Sequence, residues 1–103
     1  MAYRVLFTES AEGDRDRVVA YLVDRLGNPQ AARHFLSQLD AVVDCLESMP
    51  LSYPACSEGR LAAGDWRKAR LQEMSYVAIF RVEGDRVVVG RIFHTRQNYA
   101  RLL

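Results

Sequence analysis

The chain predicts an α+β fold: an N-terminal strand, an antiparallel helical hairpin, then a three-stranded antiparallel meander, with the helices packed on one face of the sheet. Three observations predict it. Tyr3, Val5 and Phe7 alternate with Arg4, Leu6 and Thr8, the period of two that marks a strand. Between residues 32 and 49 an apolar side chain returns every third or fourth position, the period of an amphipathic helix. From residue 66 onward, runs rich in β-branched and aromatic residues are separated by turn residues, Gly84-Asp85 among them.

A length of 103 residues sets one domain, 1–103, with room for a single core. Half of the residues are hydrophobic and 26% charged, a globular balance far from that of disordered chains. The 14 Lys and Arg against 13 Asp and Glu leave a formal charge of +1, so no global field draws the chain to nucleic acid. Any such binding has to come from a local basic patch. Cys45 and Cys56 form no CxxC pair, the first residues do not resemble a signal peptide, and reduced thiols in a cytoplasmic protein are expected. Helical spacing sets Cys45 beside Val42 and Met49, where it is expected to pack as a small hydrophobe. No apolar run approaches the ~20 residues of a membrane span, and neither metal nor cofactor is expected.

Taken in order, Tyr3, Val5 and Phe7 form the core side of the first strand. Ser10 offers a hydroxyl as N-cap for a helix starting near Ala11, with Glu12, Asp14 and Asp16 where the positive helix end favours acids. Val18, Val19, Leu22 and Leu26 supply its apolar stripe, and Gly27 ends it because glycine alone reaches positive φ without a Cβ clash. Asn28-Pro29 reads as the N-cap and first residue of the second helix. Its stripe is Ala32, Phe35, Leu36, Leu39, Val42, Val43, Leu46 and Met49, and Pro50 closes it. So short a connection makes the helices antiparallel. His34 lies off the stripe and is read as a solvated helix histidine.

Residues 51–65 read as a long loop with one helical turn at 58–62, and Cys56 and Glu58 are expected to be exposed in it. Residues 66–72 alternate Trp66, Lys68, Arg70 and Gln72 on one side with Arg67, Ala69 and Leu71 on the other. This strand is basic. Residues 76–82 form the next strand and Gly84-Asp85 reverses it into the last, whose Val87, Val88, Val89, Ile92 and Phe93 fit a covered pleated surface. His94, Arg96 and Tyr99 follow: an imidazole, a fixed cation and a phenol suited to handling a phosphodiester. The same residues equally suit the rim of a protein-binding surface, or a solvated strand end.

This order of elements resembles the RelE/ParE superfamily of bacterial toxins over essentially the whole chain. The residues that carry it best are Tyr-Val-Ala-Ile-Phe-Arg-Val-Glu-Gly-Asp-Arg-Val-Val-Val at 76–89 and the tail His94-x-Arg96-x-x-Tyr99. The resemblance implies the toxin of a type II toxin–antitoxin pair, of the kind associated with plasmid stabilization, in a hetero-oligomer with its cognate antitoxin. That antitoxin would add an apolar helix or an edge strand over Arg67, Lys68, Arg70 or the tail. No membrane is implied.

Two activities occur within the superfamily. RelE-like members resemble a ribosome-dependent endoribonuclease that cuts mRNA without a metal. On that reading His94 and Tyr99 transfer protons, Arg70 and Arg96 serve the reacting phosphate, and Arg67 and Lys68 bind substrate. Strand alternation lets at most two of Arg67, Lys68 and Arg70 share a site. ParE-like members resemble inhibitors of DNA gyrase that act by binding. Two features lean that way: Val77 stands where RelE-like chains carry an arginine, and the net charge is low for work on the ribosome. The His-x-Arg-x-x-Tyr pattern leans back toward catalysis and sets the ribonuclease slightly ahead. A third reading is a non-toxic binding module of the same fold. The tail is expected to be catalytic if it faces Arg70 across a shared cleft, and a binding edge if the two point apart.

Overall fold

The computed structural model describes residues 2–57 and 59–96. Strand β1 (Arg4–Phe7) leads into helix α1 (Glu9–Ala20), which runs on into a π-helical turn (Tyr21–Arg25). Helix α2 (Pro29–Ser48), a 3₁₀ turn (Pro50–Ser52) and a short helix α3 (Gly59–Ala63) follow. Strands β2 (Arg67–Arg70), β3 (Tyr76–Glu83) and β4 (Arg86–His94) complete a four-stranded sheet of order β1-β4-β3-β2. The expected antiparallel meander is β2-β3-β4, and β1 lies parallel to β4 with Val5 opposite Val87 and Phe7 opposite Val89.

The helices cover one face of the sheet. Phe35, Leu39, Val42 and Leu46 of α2 are buried against Ala69, Tyr76, Ala78, Phe80, Val87 and Val89, with Tyr3, Val5 and Phe7 packed at the margin. Burying a side chain such as Phe35 completely is worth about 2–3 kcal/mol. On the other face the long loop is a second layer. Cys56 and Leu61 pack with Val77, Ile79, Phe93 and Trp66, while Ala55 bridges to Arg67. Covered on both sides, β3 is continuously buried from Tyr76 through Phe80.

Several local expectations change. The N-cap of α1 is Thr8, not Ser10: Thr8 has an extended backbone and its Oγ1 accepts the Ala11 N–H at 3.1 Å, while Ser10 already lies in the first turn. Leu26, expected on the apolar stripe, is 57% exposed, because the wider π-helical turn rotates it away from the core. Gly27 has the anticipated positive φ of 58°, and the Asn28 side chain accepts the Ala31 N–H as a cap. The two cysteines exchange roles: Cys45 is exposed on the flank of α2, outside its Phe35–Leu39–Val42–Leu46 face, and Cys56 is buried under the second layer. His34 is exposed on α2, with its Nε2 3.5 Å from Glu73.

Candidate functional site

β1 stops at Phe7 while β4 continues to His94, so the far half of β4 presents an open edge that α1 occupies in place of a strand. Thr8 Oγ1 donates to the Gly90 carbonyl at 2.8 Å, and Asp14 Oδ2 accepts the Ile92 N–H at 2.9 Å. Asp14 is a buried carboxylate, 6% exposed. It also accepts Arg91 Nε at 2.8 Å and, through Oδ1, Arg17 Nη2 at 2.6 Å. Burial works to raise its pKa, but the hydrogen bonds from Arg91, the Ile92 amide and Arg17 outweigh it and hold the carboxyl below 3.8. The Arg91 guanidinium lies 4.8 Å from the centre of the Phe93 ring.

This cluster escaped the sequence reading, which assigned Asp14 to the helix end. A signal existed: Ala11, Asp14 and Val18 share helical spacing, so the carboxylate interrupts a face that turns inward.

The register decides which candidate residues meet. Residues directly opposite in neighbouring strands project to the same face. One row runs Arg70–Val77–Phe93, another Lys68–Ile79–Arg91, both on the face covered by the loop. The intervening positions Tyr76 and His94 pair with each other on the helical face. There the His94 ring meets Tyr76 edge-on at 5.3 Å, and Tyr76 meets Phe35 at 5.1 Å, linking α2 to the end of β4. Burial raises the Tyr76 phenol above 10.0, with the Tyr21 phenol adding to it. His94 therefore sits on the opposite side of the sheet from the Cβ of Arg70. Arg70 opens onto a groove with Gln38, Cys45, Tyr53 and Glu73, and His94 onto one with Tyr21, Leu22 and Ile92.

Of the other candidates, Arg67 donates from Nη1 to the Tyr53 carbonyl at 2.8 Å and so ties the long loop to β2. Lys68 is half-buried, and its backbone N–H donates to the Pro54 carbonyl. Arg96 is exposed, and its N–H donates to His94 Nδ1 at 3.1 Å. Tyr99 lies outside the described residues. Where RelE-like chains carry an arginine, Val77 is buried under Cys56 and Leu61. Among the described residues, no group of His, Cys, Asp and Glu could hold a metal ion, and no helix is long and apolar enough to cross a membrane.

A strand followed by a helical hairpin and a meander, with the first strand closing parallel on the last, defines a toxin of the RelE/ParE superfamily. The family described as ParE toxin of type II toxin-antitoxin system, parDE, matches residues 5–99, and the chain belongs to that family. Its fold is similar to a solved structure of the chromosomal ParDE toxin–antitoxin system from P. aeruginosa, with a TM-score of 0.75, 22% identity, and 91% of this chain and 97% of that one covered. It is also similar to a chain of the toxin-antitoxin complex RelBE2 from Mycobacterium tuberculosis, with a TM-score of 0.59, 24% identity, and 91% and 99% covered. A conserved hypothetical protein from Helicobacter pylori shares the fold at a TM-score of 0.55, 14% identity, and 89% and 93% covered. No curated protein matches the sequence.

Proposed function

We propose that this toxin arrests growth by binding a protein target, DNA gyrase, and that a cognate antitoxin silences it. The observation that carries the reading is that His94 and Arg70 line different grooves, His94 beside Tyr21 and Leu22, and Arg70 beside Gln38 and Cys45 of α2. Cleaving RNA without a metal needs a proton-transfer group and a phosphate-neutralising cation at one reacting centre, within hydrogen-bond reach of it. The row between them adds to the argument. Val77 and Phe93 are apolar, buried and packed with Cys56 and Leu61, so that row offers no side chain that could transfer a proton. Exposed Arg96 and the half-buried imidazole beside it suit the polar rim of a protein interface, where arginine is a common anchor. The antitoxin is supported by the relatives, two of which come from a ParDE system and a RelBE2 complex.

Purified gyrase is expected to lose supercoiling activity with excess toxin, and primer extension on bulk mRNA after brief induction is expected to show uncut transcripts. His94→Phe, which keeps an aromatic ring on Tyr76 but cannot move a proton, is expected to retain growth arrest within about twofold. Unimpaired supercoiling with transcripts cut at ribosome-occupied codons, and loss of arrest in His94→Phe, would overturn the proposal.

A further inference from the structure

The formal charge of +1 hides a division between the layers. Residues 9–48, which hold both long helices, carry 8 Asp and Glu against 4 Arg, and the remaining residues carry 5 against 10 Lys and Arg. The helical layer is therefore acidic, and the sheet with its loop is basic. On the sheet face turned away from the helices, the loop packs over Val77, Ile79 and Phe93, toward one end of the strands. Toward the other end two rows run across β3, β4 and β1: Arg81–Val88–Leu6 and Glu83–Arg86–Arg4. Opposed residues share a face, so three guanidiniums stand there over an aliphatic floor. Leu6 and Val88 are only half-buried and Arg4 is exposed. The side chains of Arg81 and Arg86 are 41% and 50% exposed. Arg81 is held in place: its guanidinium lies 5.0 Å from the centre of the Trp66 ring, and its Nε and Nη2 donate to Glu83 Oε2 at 3.2 Å and 2.8 Å. Glu83 also lies 3.8 Å from Arg86, so two arginines share that carboxylate. Asp85, exposed in the β3–β4 turn, adds a second acid beside these rows.

Resting on the gyrase reading above for the choice of DNA over RNA, we infer that this half of the sheet binds the sugar–phosphate backbone of duplex DNA, without regard to sequence, through Arg4, Arg81 and Arg86. A duplex carries one negative charge per ~1.7 Å of its axis, so guanidiniums on three adjacent strands, each roughly 5 Å from the next, find phosphates in any register. A cation whose geometry is fixed beforehand, as Arg81 is by Trp66 and Glu83, loses less freedom on meeting an anion. The acidic helices lie on the opposite side of the sheet and repel the same duplex, which turns the basic side toward it. A single strand is the poorer occupant, because its bases are held by stacking on open aromatic faces. Trp66, the ring beside these rows, has Arg81 over one face and is packed against Gly90.

The test is fluorescence anisotropy of a labelled duplex of about 30 base pairs, titrated with the full-length toxin in the absence of gyrase. Binding is expected with a Kd of about 1–100 µM near physiological salt, and three phosphate contacts set a slope of about −2.7 for the logarithm of affinity against that of salt. The double variant Arg4→Glu, Arg86→Glu is expected to bind at least tenfold more weakly and to flatten the slope toward about −1. Arg33→Glu changes the charge by the same amount per substitution on the exposed side of α2 and is expected to bind within about twofold of the unaltered toxin. Circular dichroism verifies the fold of each. Absent binding, or a loss in Arg33→Glu equal to that in Arg86→Glu, would overturn the inference, the latter because net charge alone then governs. So would tighter binding of a single strand or of duplex RNA of the same sequence, or equally effective displacement by polyglutamate, the probe for an acidic protein segment. A toxin that never inhibits gyrase defeats the target reading alone, because the anisotropy is read without the enzyme.

Discussion

The carboxylate of Asp14 on α1 and the guanidinium of Arg91 on β4 join at 2.8 Å across 77 positions of sequence, and the joint holds the end of β4 where β1 has run out. An open strand edge is a pairing hazard, and a buried carboxylate that takes the Ile92 N–H closes it with a side chain instead of a strand. His94 and Arg96 follow within a few positions, so their placement depends on this joint.

Asp14→Ala removes the acceptor and leaves Arg91 and the Ile92 amide without it. Breaking a buried pair from one side costs roughly 3–5 kcal/mol, and we expect about 3 kcal/mol here. Arg91→Ala is expected to cost less, because Arg17 and the Ile92 amide still serve Asp14. The double variant is expected to lose less than the sum, with a coupling of about 1–3 kcal/mol measurable by urea unfolding in a double-mutant cycle. Additive losses would mean that the two residues act separately.

Acid should weaken the same joint. The folded pKa of Asp14 is depressed below 3.8, so its contribution is fully present above the ordinary carboxylate range and is lost as pH falls through the folded pKa. The unfolding midpoint in urea is expected to stay level above about pH 5 and to fall below about pH 4. In Asp14→Asn that part of the acid slope should vanish. An unchanged slope would assign it to other carboxylates.

Gly90 stands where β4 bulges, between the pairs Ile79–Arg91 and Phe80–Val89. A Cβ there would come within 2.7 Å and 2.8 Å of the Trp66 ring, closer than packed atoms tolerate. Gly90→Ala is therefore expected to cost about 1–3 kcal/mol by overpacking. In a domain of this size that lowers Tm by several degrees, ~4–8 °C per kcal/mol. Adding Trp66→Leu should recover part of the loss, seen by thermal unfolding. A neutral Gly90→Ala would show that the indole moves aside freely.

Much of the fold could be read from the sequence because period and turn chemistry are local. Alternation from Tyr3 to Phe7, the Asn28-Pro29 start and the Gly84 turn each act within a few residues and stand as expected; of the expected α2 stripe Ala32, Phe35, Leu39, Val42 and Leu46 are buried, whereas Leu36 and Met49 are exposed. Burial of the two cysteines and of Leu26 was misjudged where a neighbouring element decided the outcome: the second layer over Cys56, the flank of α2 at Cys45, the π-helical turn before Leu26.

The candidate site divides along the same line. From sequence alone it followed that Arg67 and Arg70 point to opposite sides of their strand and that the tail combines an imidazole, a cation and a phenol, while the family resemblance implied that Val77 stands where RelE-like chains carry a charge. Only the tertiary structure decided that Tyr76 opposes His94 while Val77 opposes both Arg70 and Phe93. That single register starts the imidazole and the strand cation from opposite faces, and Arg70, on the edge strand, reaches a groove beside α2 that His94 does not line. The physical reason is that alternation relates side chains along one strand, whereas the faces of two strands are related only by hydrogen-bonded pairing, which a one-residue slip inverts. The Asp14–Arg91 joint depends on β1 ending beside Val89 and was settled by that packing too.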